Sequence, residues 1–297
     1  MPHVRANGID ISYTVEGAGP PVVLLHGATS SAMEDWSAQR PLFRRAFRLY
    51  LVDARGHHKT KWDAADGFDK EMLVADLVAF VDAMEIETFH IAAFSMGAMT
   101  ALTYATRHAE RLRTAIICGI DVQREPRARV ARRLMDPERI ERDEPAWAAQ
   151  LERRHGPTQG PGAWKRLLPA IADDVGSQHL LTAEDLRRAR VPILLVYGDR
   201  DIFVPMDHAA ALHRQLPDAR LLVAPDCPHQ VMVSQPGLFN HAAGTFYRST
   251  ELVARQRAGV DESPAPAAED VGARDLDPAL VVPLEAARTE PEWWDAW

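Results

Sequence analysis

Residues 89–97 read FHIAAFSMG, and the fold prediction starts from this segment. Its first six residues, Phe89–Phe94, form an apolar run that is typical of a strand buried on both faces. Residues 96–108 have a helical pattern, so Ser95 lies in a sharp turn between a strand and a helix. Ala93 and Gly97 are small enough for two backbones to pass closely at this turn. The pattern indicates a serine with an exposed hydroxyl, although an ordinary turn serine also fits the five residues alone.

Similar segments recur outward from this turn in both directions. Apolar runs that predict buried strands lie at residues 22–25, 49–52, 115–119, 193–197 and 221–224. Helical patterns lie at residues 70–84, 206–216 and about 236–255. Asn7-Gly8, between alternating residues 3–6 and 9–16, predicts a hairpin turn. Strands that alternate with helices predict an α/β protein with a mostly parallel sheet covered on both faces.

One region interrupts the alternation and another follows it. Residues 122–190 contain no strand pattern and hold Arg-rich helical segments broken by prolines, so we expect a helical cap. The core is then residues 1–121 and 191–254. Residues 255–297 are rich in Pro, Ala and acids, which predicts a mostly disordered tail. Trp293, Trp294 and Trp297 in this tail resemble a short protein-docking peptide, and burial against the body is the alternative.

Composition excludes several classes of protein. Of the 297 residues, 46% are hydrophobic and 26% are charged, as in ordinary globular proteins. The net charge is −8, and the 4 basic and 10 acidic residues of the tail carry −6 of it. No basic face is present, so we expect no nucleic-acid partner. We also expect no membrane span, and the absence of a signal-peptide pattern at the first residues favours a cytoplasmic location.

Two further loops carry an acid and a histidine, each directly after a predicted strand. Asp201 ends the segment GDRD at residues 198–201, and His229 ends DCPH at residues 226–229. The carboxyl ends of parallel strands meet at one edge of a sheet, which is also the edge that holds Ser95. Serine, acid and then histidine is the chain order of one known catalytic triad. The order predicts a triad of Ser95, Asp201 and His229, with Asp199 as a rival acid.

Together these residues carry a resemblance to a known superfamily over roughly residues 3–250. The sequence resembles proteins of the α/β-hydrolase fold, in particular the capped serine esterases, enol-lactonases and C–C hydrolases, a group that includes cofactor-free haloperoxidase-like members. The sequence departs from the usual pattern of these proteins at two places. Ala93 stands where glycine is usual, and His58-Lys59-Thr60 follow the D-x-R-G-H segment, where a glycine and then a G-x-S run are common. The matching residues are His26-Gly27, Asp53-Ala54-Arg55-Gly56-His57, Ala93-Phe94-Ser95-Met96-Gly97, Gly198 with Asp201, Val204-Pro205 and His229.

The resemblance implies a mechanism and an activity. Ser95 would attack a carbonyl, His229 would accept its proton, and Asp201 would orient the imidazole. The backbone N–H groups of Ala28 and Met96 would form the oxyanion hole. A serine nucleophile argues against halide displacement and epoxide opening, which use an aspartate at this position. We therefore expect a carboxylesterase-like hydrolase that acts on a small or medium ester or lactone, without a cofactor.

The sequence leaves several alternatives open. Some proteins of this fold take their acid from the position of Asp121, after the strand at residues 115–119. C–C bond hydrolysis and cofactor-free perhydrolysis reuse the same residues, and a ligand receptor with slow or no turnover would look the same. His57 and His58 are residues of a type that binds metals, but no accompanying pattern of Asp, Cys or His supports a metal site, so we expect no metal.

The substrate pocket is expected between the loop after the first long strand and the helical cap. Met33 and Trp36 in the loop after the first long strand are expected to line it. Trp147 and Trp164 are expected in its roof, with the core of the cap as their alternative place. Nine arginines lie between residues 124 and 154. They fit a solvated helix surface, and the alternative is that one or two of them bind a substrate carboxylate.

Overall fold

The structure, a computed structural model, describes residues 2–257, and these are built around one eight-stranded sheet. The strand order is β1-β2-β4-β3-β5-β6-β7-β8, in which β1 and β2 are antiparallel to their neighbours and the others are parallel. The mostly parallel α/β fold predicted from the sequence is confirmed. The strands are His3–Ala6 (β1), Ile9–Glu16 (β2), Pro21–Leu25 (β3), Arg48–Val52 (β4), Phe89–Phe94 (β5), Leu112–Cys118 (β6), Ile193–Gly198 (β7) and Ala219–Ala224 (β8).

Helices connect these strands and cover the sheet. The described residues also include short 3₁₀ helices at Ala64–Asp66 and Ala109–Arg111. Tail residues 258–297, with the three tryptophans of the docking hypothesis, lie outside the described residues. The α-helices are Ala32–Asp35 (α1), Arg40–Phe43 (α2), Lys70–Ala83 (α3), Met96–Arg107 (α4), Arg127–Leu134 (α5), Pro137–Asp143 (α6), Pro145–Gln159 (α7), Trp164–Ser177 (α8), Ala183–Arg188 (α9), Met206–Gln215 (α10), Val231–Ser234 (α11) and Pro236–Arg257 (α12).

The sheet is buried on both faces, as its continuous apolar runs predict. Val23 and Leu25 of β3 point into one core cluster together with Phe80 of α3. Val22 and Leu24 of the same strand point into the other cluster, which includes the aromatic residues of α12. This alternation follows from the two-residue period of a strand. Both faces therefore hold the strands rigidly, and the loops at their carboxyl ends start from fixed positions.

The last strand is an exception to the buried pattern. The apolar run at residues 221–224 predicts a buried strand, but β8 lies at the edge of the sheet and this prediction is wrong. Leu221 is 38% exposed and Val223 is 40% exposed. The run is apolar at every position, and such a pattern does not tell an edge strand from a central one.

The five helices α5–α9 lie between β6 and β7, and we call residues 127–188 the helical insertion. Pro137 and Pro145 begin helices, where the missing N–H of proline is tolerated. Pro157 and Pro169, which were expected to break helices, instead lie inside α7 and α8. Around Pro169, the buried Leu167, Leu168 and Ile171 keep α8 packed despite the lost backbone bond.

Residues up to Thr250 belong to one compact unit, and the site described below lies within it. Among the described residues, no helix combines the length and the apolar character needed to cross a membrane.

Candidate active site

Ser95 occupies a strained turn at the carboxyl end of β5. Its φ of 51° and ψ of −114° are rarely adopted by a residue other than glycine. The turn is held on two sides, because Ser95 N donates to Cys118 O (2.9 Å) and Gly97 N donates to His26 O (3.1 Å). A Cβ on Gly97 would lie 2.7 Å from His26 O, so only glycine fits this approach. The chain therefore presents the serine hydroxyl at the start of α4.

His229 links this serine to Asp201. Its Nε2 lies 3.1 Å from Ser95 Oγ, and its Nδ1 lies 2.7 Å from Asp201 Oδ2. The second oxygen of Asp201 accepts N–H bonds from Phe203 (2.8 Å) and Val204 (3.2 Å), which fixes the carboxylate. This geometry suits the tautomer in which Nδ1–H donates to Asp201 and Nε2 accepts the serine proton. The structure thus brings the three predicted residues together in one hydrogen-bonded chain.

The two rival acids are engaged elsewhere. Asp121 Oδ2 is 2.6 Å from Nδ1 of His208, and Asp199 Oδ1 accepts the backbone N–H of Cys227 at 3.0 Å. Burial raises the pKa of Asp121. Backbone hydrogen bonds, first that from Cys227, lower the pKa of Asp199. Neither acid is hydrogen-bonded to His229, so the geometry favours Asp201.

The loop after β3 is tied down beside Ser95. Gly27 N donates to the buried carboxylate of Asp35 at 2.8 Å. Ala54 N donates to Nε2 of His26 at 3.0 Å. Ala28 and Met96 border the same cavity as Ser95, and neither backbone N–H has an acceptor among the described residues. Both amides therefore remain available to a ligand in the cavity.

A cavity that is partly open to solvent is lined by Ser95 and His229. Its walls include the apolar side chains Met99, Met135, Ile171, Val175 and Phe203. The helical insertion contributes three of these, Met135, Ile171 and Val175, and no sequence pattern singles them out. The cavity also has charged walls, formed by Lys70, Arg127 and Asp174.

The four residues expected to line the pocket are not in the wall of this cavity. Trp36 is fully buried in the core, where its Nε1 donates to Leu25 O (3.1 Å) and its ring packs against Phe239. Met33 packs against the same core cluster. Large apolar side chains such as these are as well suited to a protein core as to a pocket, and both pack in the core.

Trp164 and Trp147 belong to the core of the helical insertion. Trp164 is buried, and its Nε1 donates to Glu152 Oε2 at 3.1 Å. Trp147 packs against the same cluster of apolar residues. The alternative stated for these two tryptophans, a place in the core of the cap helices, is the one that the structure shows.

The neighbouring histidines are paired within the protein. His58 Nδ1 lies 2.8 Å from Asp53 Oδ2, and His57 Nδ1 lies 2.9 Å from Arg55 O. Burial lowers the pKa of His57 well below its usual range. Within residues 2–257, no group of three or more His, Cys, Asp or Glu side chains is placed to hold a metal ion.

Comparison with known proteins places these features in a wider context. The family model described as "Alpha/beta hydrolase family" matches residues 22–243. A 2-hydroxy-6-oxo-2,4-heptadienoate hydrolase of Pseudomonas putida is 26% identical over 254 residues, which cover 78% of this chain and 90% of that protein.

Solved structures with the same fold include two named enzymes. The enol-lactonase from Burkholderia xenovorans LB400 has a TM-score of 0.67 and 21% identity, covering 83% of this chain and 100% of that one. A meta-cleavage product hydrolase from Pseudomonas fluorescens IP01 has a TM-score of 0.70 and 22% identity, with coverages of 83% and 97%.

Proposed function

The chain belongs to the alpha/beta hydrolase family, and we propose that it is a serine hydrolase that cleaves a carboxylic ester or lactone through an acyl-enzyme. One observation carries this proposal. Asp201, His229 and Ser95 form a continuous hydrogen-bonded chain whose end faces a cavity.

The proposed reaction moves one proton back and forth through His229. As Ser95 Oγ attacks the ester carbon, its proton passes to Nε2 of His229, and the carbonyl oxygen becomes an oxyanion. The ester C–O bond then breaks, and the imidazolium gives its proton to the leaving alkoxide. Water repeats the sequence on the acyl-enzyme and releases the acid. Asp201 stays ionised throughout and stabilises the imidazolium.

Two backbone amides would stabilise the oxyanion. Met96 N–H lies at the beginning of α4, where the helix dipole favours negative charge. Ala28 N–H lies in the loop that Asp35 and His26 anchor. Removing one donor from such a hole typically costs on the order of 10²–10³ in rate. We place the oxyanion between these two groups.

The helical insertion completes the proposal as a cap over the nucleophile. Met135 follows α5, and Ile171 and Val175 lie in α8. All three border the cavity that contains Ser95 and His229. Apolar walls of this kind exclude water and strengthen electrostatic contacts within the site.

C–C bond hydrolysis is the second candidate. The relative from Pseudomonas putida is named for a substrate, 2-hydroxy-6-oxo-2,4-heptadienoate, that contains no ester bond. A serine, a histidine base and an oxyanion hole can also serve the cleavage of a carbon–carbon bond next to a carbonyl. Substrate trials must therefore include a 2-hydroxy-6-oxo-dienoate beside esters and lactones.

Labelling with a fluorophosphonate probe tests the proposal directly. We expect covalent labelling at Ser95, mapped by mass spectrometry, and its loss in Ser95→Ala. The matched control is Ser249→Ala, which removes an exposed hydroxyl bonded to Phe246 O. A folded wild-type protein that is neither labelled nor active on esters, lactones or dienoates would contradict the proposal and favour a ligand receptor.

A further inference from the structure

Arg127 is the first residue of α5 and lines the same cavity as Ser95 and His229. The residue is only 6% exposed. Its guanidinium nitrogens Nε and Nη2 are buried and have no hydrogen-bond acceptor among the described residues. Buried donors nearly always have partners, because an unpaired donor has lost its contacts with water. A permanently charged group therefore has unused donors in the wall of the cavity.

The nearest carboxylate does not satisfy these donors. Asp121 Oδ1 is 3.9 Å from Arg127 Nε, which is too long for a hydrogen bond. Its Oδ2 pairs with His208 at 2.6 Å, and its Oδ1 accepts the N–H of Gln123 at 3.2 Å. Asp121 thus offsets part of the charge of Arg127 but leaves the guanidinium free to bind another acceptor.

The second cation of the cavity wall is already engaged. Lys70 Nζ donates to His179 O at 2.6 Å and lies 3.4 Å from Glu71. Asp174, also in the wall, accepts the backbone N–H of Lys70 at 3.1 Å. Among the described residues that border the cavity, the cationic donors without an acceptor are those of Arg127.

Gln178 adds a neutral polar group to the same cavity. Its Oε1 is buried and has no hydrogen-bond partner among the described residues. Rotation of the amide about its last bond exchanges the oxygen and the NH₂ group, so this side chain can offer a donor as readily as an acceptor. The cavity thus holds two polar side chains whose hydrogen bonds are incomplete without a ligand.

We propose that Arg127 binds a carboxylate of the substrate, so that the substrates are carboxylate-bearing esters or lactones, such as half-esters of dicarboxylic acids. The inference rests on the proposed function, because it places the carboxylate in the cavity into which Ser95 faces. A planar guanidinium matches a carboxylate with two parallel hydrogen bonds. Asp121 and Asp174 offset the charges of Lys70 and Arg127, so the wall has no excess positive charge for a phosphate dianion, whereas a carboxylate needs only the hydrogen bonds of one guanidinium.

Binding is tested first, without any chemistry. Adipate is titrated by calorimetry into Ser95→Ala and into the same protein with Arg127→Gln. We expect Arg127→Gln to weaken adipate binding by roughly 10- to 100-fold, as for a lost hydrogen bond to a charged group. The matched control, Arg129→Gln, removes an exposed arginine of the same helix and is expected to leave the affinity unchanged. No adipate binding at millimolar concentration, or equal binding of inorganic phosphate, would overturn the inference.

Kinetics with two esters of equal chain length then test the substrate class. Mono-4-nitrophenyl adipate and 4-nitrophenyl hexanoate differ only in the terminal carboxylate. We expect the wild type to prefer the adipate half-ester through a lower KM. Arg127→Gln should reduce this preference by roughly 10- to 100-fold, and Arg127→Lys should restore part of it. A wild type without the preference, or a folded Arg127→Gln that keeps all of it, would overturn the inference.

The two experiments separate this inference from the proposed function. If Ser95 hydrolyses both esters equally well, the proposed function stands and the carboxylate site fails. If adipate binds in an Arg127-dependent way but Ser95 is not labelled and no ester, lactone or dienoate is hydrolysed, the carboxylate site stands and the proposed function fails.

Discussion

Two aspartate–histidine pairs follow neighbouring strands of the sheet, and their own geometry is nearly the same. Asp201 Oδ2 lies 2.7 Å from His229 Nδ1, and Asp121 Oδ2 lies 2.6 Å from His208 Nδ1. Both carboxylates are buried, and both histidine side chains are 16% exposed. The pairs differ at Nε2. That of His229 is 3.1 Å from Ser95 Oγ, whereas that of His208 makes no hydrogen bond with a described residue.

The difference shows that an aspartate–histidine pair does not by itself identify a catalytic site. The group next to Nε2 of the histidine decides whether the pair can act on a nucleophile, and the fold determines the position of that group. The strained turn after β5 presents a hydroxyl, and the loop after β8 reaches across to it. The pair after β6 instead lies beside Arg127, with Asp121 between the histidine and the guanidinium. We therefore assign catalysis to one pair and charge balance to the other.

Removal of the two histidines should give the largest contrast. His229→Ala eliminates the proposed base, so we expect kcat to fall by roughly 10⁶-fold, as for the loss of a triad member that acts as a unit with the others. His208→Ala should lower kcat on a neutral ester by less than about tenfold, since it removes one hydrogen bond away from the reacting atoms. Steady-state hydrolysis of 4-nitrophenyl hexanoate measures both. Equal losses in two folded variants would contradict the assignment.

Replacement of each acid by its amide should give the next largest difference in kcat between the two pairs. Asp201→Asn preserves shape but no longer holds His229 in the required tautomer, so we expect a drop in kcat of roughly 10⁴-fold. Asp121→Asn should change kcat on the same neutral ester by less than about tenfold. The measurement is again ester hydrolysis, with circular dichroism as the check on folding. Retained activity in Asp201→Asn, together with loss in Asp121→Asn, would reverse the roles of the two pairs.

The sequence predicts the strand-based parts of the molecule best. Continuous apolar runs such as Phe89–Phe94 indicate buried parallel strands, and the topology of such a sheet brings their carboxyl ends to one edge. For this reason the sequence could indicate that Ser95, Asp201 and His229 would lie close together. The sequence favours Asp201 as the acid, and Asp121 stays open as an alternative because it also follows a strand that ends at that edge.

The cavity could not be predicted in the same way. Its walls come from helices of residues 127–188, whose orientation depends on packing that no local pattern encodes. Trp36 and Trp164 are apolar residues near the site, but they satisfy their N–H groups at Leu25 and Glu152 inside two cores. Arg127 appeared only as one of nine arginines, and burial distinguishes it from exposed Arg129. Burial depends on tertiary structure, so the sequence could not single it out.

The buried His155 has no carboxylate partner within the described part of the chain, unlike His229 and His208, and this difference matters at lower pH. His155 is buried, its Nδ1 accepts the N–H of His58 (3.0 Å), and desolvation, with Arg154 nearby, lowers its pKa to about 4. In acid the unfolded chain therefore takes up a proton at this histidine before the folded one does. The stability that neutral His155 contributes is complete above the usual pKa of about 6.5 and is lost as the pH falls toward 4.

We expect the free energy of unfolding to fall by up to about 3 kcal/mol over this range through His155. Urea unfolding between pH 7 and 4 measures the slope. His155→Gln should flatten it, whereas His213→Gln, on the half-buried histidine of α10, should not. A slope that is unchanged in His155→Gln would contradict this, because it would mean that the folded and unfolded protein protonate His155 over the same pH range.

The smallest expected effect concerns the space that lets His229 reach Ser95. Gly119, between β6 and Asp121, has a φ of +67°, and a Cβ there would lie 2.9 Å from Cε1 of His229. Gly119→Ala should push the imidazole away from Ser95 Oγ and lower kcat by roughly 10- to 100-fold, since sub-ångström misplacement of a reacting group is costly. Gly162→Ala is the matched control, because Gly162 has the same φ of +67° and open space around its Cβ position. Both variants place an alanine at the same φ, and only Gly119→Ala brings a Cβ against His229. Equal rates would mean that the position of His229 does not depend on the space at Gly119. The loop after β8 would then set the distance between His229 and Ser95 by itself.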